Sequence, residues 1–222
     1  MKLSIINGSP RGKGSNSKIL TDQFRKGFCS VESHCDIREY FIKSATYSEL
    51  INALESSDFA IIIFPLYTDA MPGIVKRFFE EFTNYHLKNH KLKLGFIVQS
   101  GFPEAIHSRY LEKYLDKLAK RLEIDYLGTA IKGGIEGIKI QPKWMTRKTM
   151  EMFYDLGQHM ALDWELNNEI IKRLSTPELL SRFFIFMYRV IGKLGFTNFY
   201  WDQQLKKNNA FGNRFAQPYS KP

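Results

Sequence analysis

Five short apolar runs punctuate the chain, Leu3–Ile6, Ile37–Ile42, Phe59–Phe64, Leu94–Val98 and Tyr126–Ile131. Between them, apolar residues return every three or four positions, as one buried helix face requires. Ile19, Leu20, Phe24 and Phe28 do so within 17–28, and Val75, Phe78, Phe79 and Phe82 after the third run. Within 106–122 the stripe is Tyr110, Leu111, Tyr114, Leu115, Leu118 and Leu122. Phe59–Phe64 (FAIIIF) and Leu94–Val98 are apolar at consecutive positions, which suits strands of a parallel sheet covered on both faces. The alternation predicts an α/β, doubly wound, five-stranded parallel sheet, for which the order 2-1-3-4-5 is expected.

The pattern changes near Gly133. After GGIEG (133–137) the periodicity predicts a helix from about Met145 to Leu174, with Phe153, Leu156 and Met160 on one stripe. Pro177 is placed to open a further helix over Glu178–Leu194, apolar nearly all round, and the rest is aromatic and polar without a clear period. The expected organisation is therefore one domain over 1–174 and a helical extension over 175–222, packed on the core or on a partner subunit. A helix that apolar must be covered. A membrane surface ranks second, because Arg182, Arg189 and Lys193 at i, i+7 and i+11 share one side. The run FFIFMY (183–188) is far shorter than the roughly 20 residues of a spanning helix.

Composition narrows this little. The 222 residues, 44% hydrophobic, suffice for a buried core, and the net charge of +9 favours anionic partners. Residues 1–25 lack a secretory pattern, so a cytoplasmic protein is expected. Cys29 and Cys35 form neither C-x-x-C nor a zinc spacing, and free thiols are the simplest expectation. His86 and His90 lack the further ligands of a metal site, and no metal is expected. Lys206, Lys207, Arg214 and Lys221 mingle with Phe211, Phe215 and Tyr219, but no nucleic-acid signature accompanies them, and no such partner is expected. His159 reads as a core or interface residue, and Lys76 and Arg77 as exposed helix residues.

The chemistry lies in three loops. I-N-G-S-P-R-G-K-G-S-N-S (6–17) runs from the first strand into a helix, and a helix start gathers free N–H groups and a positive dipole end. Neither G-x-x-x-x-G-K-[ST] nor G-x-G-x-x-G fits. Hydroxyls at Ser9, Ser15 and Ser17, the Asn16 amide and the Arg11 guanidinium instead suit a terminal monophosphate. PLYTDAMPGIVKRF (65–78) follows the third strand and QSGFPEA (99–105) the fourth. Loops after strands 1 and 3 face each other at the switch point of such a sheet, so a phosphorylated planar cofactor is expected there.

Gly8–Ser17 and Pro65–Gly73, which read G-S-P-R-x-x-G-S-x-S and P-x-Y-x-x-x-x-P-G, resemble the NADPH-dependent FMN reductase family of flavodoxin-like quinone and flavin reductases. The resemblance covers about residues 1–132. It implies a flavodoxin-like fold and tightly bound FMN, with Ser9, Arg11, Ser15, Asn16 and Ser17 at the phosphate. It also places the isoalloxazine between Pro65, Leu66, Tyr67, Thr68, Asp69 and Ser100, Gly101, Phe102. The implied activity is two-electron reduction of a quinone, flavin, azo or similar small acceptor by NAD(P)H, with no side chain required as acid or base. A homo-oligomer is implied, with Phe199–Trp201 closing one wall of the pocket. A flavin-binding electron carrier or redox sensor without turnover is the alternative. The Ser9-Pro10-Arg11 loop and basic charge depart from electron-carrier flavodoxins, and residues 65–100 lack the cysteines of iron–sulfur flavoproteins.

Overall fold

The computed structural model describes residues 1–31, 36–85, 89, 91–193, 199–217 and 219. Each apolar run is a strand: β1 (Lys2–Asn7), β2 (Asp36–Phe41), β3 (Phe59–Pro65), β4 (Lys93–Gln99) and β5 (Asp125–Lys132). They form one parallel sheet in the order β2-β1-β3-β4-β5. The helices between them are α1 (Asn16–Val31), α2 (Tyr47–Glu55), α3 (Gly73–Thr83) and α4 (Ile106–Arg121). Then come α5 (Lys143–Asp163), α6 (Asn168–Leu174), α7 (Arg182–Lys193) and α8 (Phe199–Lys207).

Alternation along β3 explains the two-layered core. Phe59, Ile61 and Ile63 join Phe24, Phe28, Phe153, Leu156 and Met160 of α1 and α5 on one face. Ala60, Ile62 and Phe64 join Leu50, Val75, Phe78 and Leu115 on the other. All seven residues of β3 are buried. On the first face α1 and α5 touch backbone to backbone. A Cβ on Gly27 would lie 1.8 Å from the Tyr154 carbonyl oxygen, and one on Gly157 would lie 1.9 Å from that of Phe24.

The helix expected over Met145–Leu174 is two helices. Trp164 ends α5 in the left-handed region (φ 55°), where its indole stacks on Phe59 at 5.0 Å and meets the edge of Phe28 at 5.6 Å. Asn167 then starts α6, its side chain accepting hydrogen bonds from the N–H groups of Glu169 and Ile170. The helix expected over Glu178–Leu194 begins only at Arg182, because Glu178 is drawn to α4. Arg109 grips its carboxylate at 2.7–3.1 Å while the Ala105 and Ile106 N–H groups bond the Pro177 and Glu178 carbonyls. Pro177 precedes the helix rather than opening it.

Cys29 is disulfide-bonded, which corrects the expectation of free thiols. Cys35, the only other cysteine of the sequence, lies outside the described residues. Closeness along the chain is a cue that C-x-x-C and zinc spacings do not register. His86, His90 and Leu194 also fall outside the described residues. The described chain divides into two compact units, Met1–Leu179 and Leu180–Pro222. Among the described residues, no helix is long and apolar enough to cross a membrane.

Candidate functional site

The loop after β1 is built to approach its neighbours closely. Gly8 donates to the Ile63 carbonyl at 2.8 Å, and a Cβ there would fall 2.3 Å from Val75. Buried Asn7 accepts from the Ser9 N–H at 3.0 Å, and the Ser9 hydroxyl accepts from the Arg11 N–H at 3.3 Å. Gly12, at φ +57°, then starts a single 3-10 turn, Gly12–Gly14. The Ser15 hydroxyl caps α1 by accepting from the Lys18 N–H at 3.1 Å. The N–H groups of Asn16 and Ser17, at the head of α1, have no backbone carbonyl partner among the described residues. The Ser17 hydroxyl is fully buried and has no partner there either. Neutral donors at a helix start, with one guanidinium beside them, have the chemistry to hold an anion such as a phosphate.

The loop after β3 is a tight turn. Tyr67 and Ala70 exchange backbone hydrogen bonds at 2.9 and 3.0 Å, while Thr68 (φ 49°) and Asp69 (φ 59°) are both left-handed. Such a turn favours Asn and Gly, and a β-branched residue there carries strain of about 1–3 kcal/mol. The turn presents Tyr67 half exposed and keeps Leu66 buried, its N–H bonded to the Gln99 carbonyl.

After β4, Ser100 is committed at both ends of its residue. Its N–H donates to the Lys132 carbonyl and its hydroxyl to the Phe102 carbonyl, each at 3.0 Å. The Phe102 ring stacks on His107 at 4.4 Å.

Eight of the expected site residues line one cleft: Ser9, Arg11, Asn16, Pro65, Leu66, Tyr67, Ser100 and Gly101. Ser15 caps α1 and Ser17 stands in its first turn, neither among the residues lining that cleft. Thr68 is at the turn tip, Asp69 lines a neighbouring cavity, and Phe102 faces His107. Lys76 lines that same cavity of about 300 Å³, with Met71, Tyr110 and Tyr114, and pairs with Glu80. Half-exposed His159 pairs instead with Asp163 at 3.3 Å.

Sequence reasoning missed Gln99 and Glu136 in the cleft. Glu136 belongs to the loop after β5, which closes the same sheet edge. Asn16 donates to the Ile135 carbonyl at 3.2 Å, Lys139 to the Gly14 carbonyl, and Arg11 pairs with Glu136 at 3.6 Å. GGIEG after the fifth strand was the available signal. Across that loop lies a cavity of about 200 Å³ lined by Lys132, Gln141, Thr146 and Thr149. Burial, with the charge of Lys148, pushes the Lys132 ammonium below its ordinary range.

No curated protein matches the sequence. Solved structures do match its fold. An NADPH-quinone reductase from P. pentosaceus is 17% identical, with 73% of this chain and 99% of that one covered and a TM-score of 0.55. An NAD(P)H:quinone oxidoreductase from Methanothermobacter marburgensis is 11% identical, covering 72% and 96%, with a TM-score of 0.58. An FMN-dependent NADH-azoreductase from Bacillus anthracis, in complex with FMN, is 16% identical, covering 72% and 100%, with a TM-score of 0.56. The sequence model of the flavodoxin-like fold family matches residues 1–149, two thirds of the chain and all of the sheet, and the chain belongs to that family.

Proposed function

We propose that the cleft binds FMN tightly and that the protein is an FMN-dependent oxidoreductase, reducing a quinone, flavin, azo or similar small acceptor with electrons from NAD(P)H. The observation that carries this reading is the meeting of two loops in one cleft: a receptor for phosphate at Ser9–Ser17 and a half-exposed tyrosine turn at Tyr67–Ala70. The reductases of like fold support it.

In this reading Ser9, Arg11, Ser15, Asn16 and Ser17 hold the phosphate, the Ser17 hydroxyl finding there the partner it otherwise lacks. Pro65–Asp69 and Ser100–Phe102 flank the ring. FMN, when bound, supplies the hydride and electron chemistry, and the protein supplies orientation and electrostatics. With the Ser100 N–H committed to Lys132, the N–H groups of Gly101 and Phe102 remain as donors toward negative charge at the ring's pyrimidine edge. The pairing of Leu66 with Gln99 fixes the distance between the two ring loops, so neither is ordered at the moment of binding. No residue of the cleft has to move a proton.

Anaerobic mixing of the FMN-loaded protein with NADPH or NADH tests the reading. Loss of the visible flavin absorbance, its recovery on adding a quinone, and sustained turnover are expected. A flavin that stays oxidised with both nucleotides would make the protein a carrier rather than a reductase.

A further inference from the structure

The Leu180–Pro222 unit has a composition unlike the rest of the chain. Its 43 positions hold seven Lys and Arg against one acid, Asp202, so six of the chain's nine net positive charges lie in it, together with eleven aromatic residues. Helix α7 reads RFFIFMYRVIGK, without an acidic residue. Arg182 and Arg189, seven positions apart, share one stripe. Exposed Phe186 lies between them on that stripe, and around the remainder Phe183, Phe184, Ile185, Tyr188 and Val190 are exposed as well. Trp201 of α8 is exposed as well, and Arg214 lies over the rings of Phe211 and Phe215 at 4.1 and 4.7 Å.

Two features choose the occupant of this surface. Two copies meeting through so cationic a unit would repel, whereas an anionic partner is attracted. A protein groove covers one side of a helix, but the apolar residues of α7 spread over most of its circumference. A fluid apolar medium conforms to such a helix, with long cationic side chains rising to the charged layer. We propose that the Leu180–Pro222 unit docks on an anionic lipid surface, with α7 in the plane of the headgroups. Phe183 and Phe184, away from the arginine stripe, enter the acyl boundary, and Arg182 and Arg189 meet the phosphates.

Flotation of the full-length protein with vesicles of phosphatidylcholine, with or without phosphatidylglycerol, tests this. Binding is expected to the phosphatidylglycerol vesicles, weakening as salt rises, with much less on phosphatidylcholine alone. Arg182→Ala and Arg189→Ala should each lower the partition coefficient about fivefold. Phe183→Ser with Phe184→Ser should abolish binding while the protein still melts cooperatively. Equal binding to both vesicles, or unchanged binding of the arginine variants, would overturn the proposal. So would a dimer that the double phenylalanine variant dissociates in a protein that does not bind vesicles. Flotation needs neither flavin nor turnover, so its failure leaves the flavin reading untouched.

Discussion

Arg11 has two competing partners in this account. Its pair with Glu136 spans 3.6 Å, with the Arg11 side chain 57% exposed, and exposed pairs are worth about 0–1 kcal/mol. Charge-assisted bonds to a phosphate are worth about 1.5–3 kcal/mol, so a phosphate displaces the carboxylate. Arg11→Ala should weaken FMN binding about tenfold and leave riboflavin binding nearly unchanged, as measured by quenching of flavin fluorescence. Glu136→Gln removes an anion beside the phosphate and releases Arg11, so FMN should bind about fivefold more tightly, again without effect on riboflavin. Arg11 was legible in the sequence because it stands in a Gly/Ser loop between a strand and a helix. Glu136 was not, because its place in the cleft depends on the loop after β5 folding back over Asn16.

The elements that hold the cleft act at a distance from it. Helix α1 presents Asn16 and Ser17 at one end and presses Gly27 against the Tyr154 carbonyl of α5 toward the other. Gly27→Ala forces those backbones apart, which should cost about 1–3 kcal/mol, lower the melting temperature by several degrees and weaken FMN binding. Gly73→Ala, whose Cβ would meet nothing within 4 Å, is the control and should be neutral or slightly stabilising. The strands and α1, α3 and α4 were readable from periodicity because each buries a continuous stripe. The break between α5 and α6 was not, because the apolar stripe runs through it and the stop is tertiary, Trp164 turning onto Phe59 and Phe28. Likewise the late start of α7 follows from a side chain on α4. Arg109 holds the Glu178 carboxyl below its ordinary value of 4.5. The folded value lies below the unfolded one, so this contribution is present above that range and is lost as pH falls through the lowered value. Glu178→Gln should therefore reduce stability by up to about 1 kcal/mol at neutral pH and flatten its fall on acidification, as followed by urea unfolding.

Across the whole molecule, charge and chemistry separate. Met1–Leu179 carries the sheet and the four-loop cleft, while most of the net positive charge lies in Leu180–Pro222. The fold was legible because alternating strands and helices constrain topology strongly. A phosphorylated ligand was the expectation because a helix start after a Gly/Ser loop constrains charge. The central claim is that the cleft at the switch point is an FMN site anchored through its phosphate. Titration of the purified protein with FMN and with riboflavin, read by the visible spectrum and flavin fluorescence, tests it most directly. Saturable FMN binding with a changed spectrum, and riboflavin at least tenfold weaker, is the expected result. Absence of FMN binding, or equal affinity for the two flavins, would contradict it.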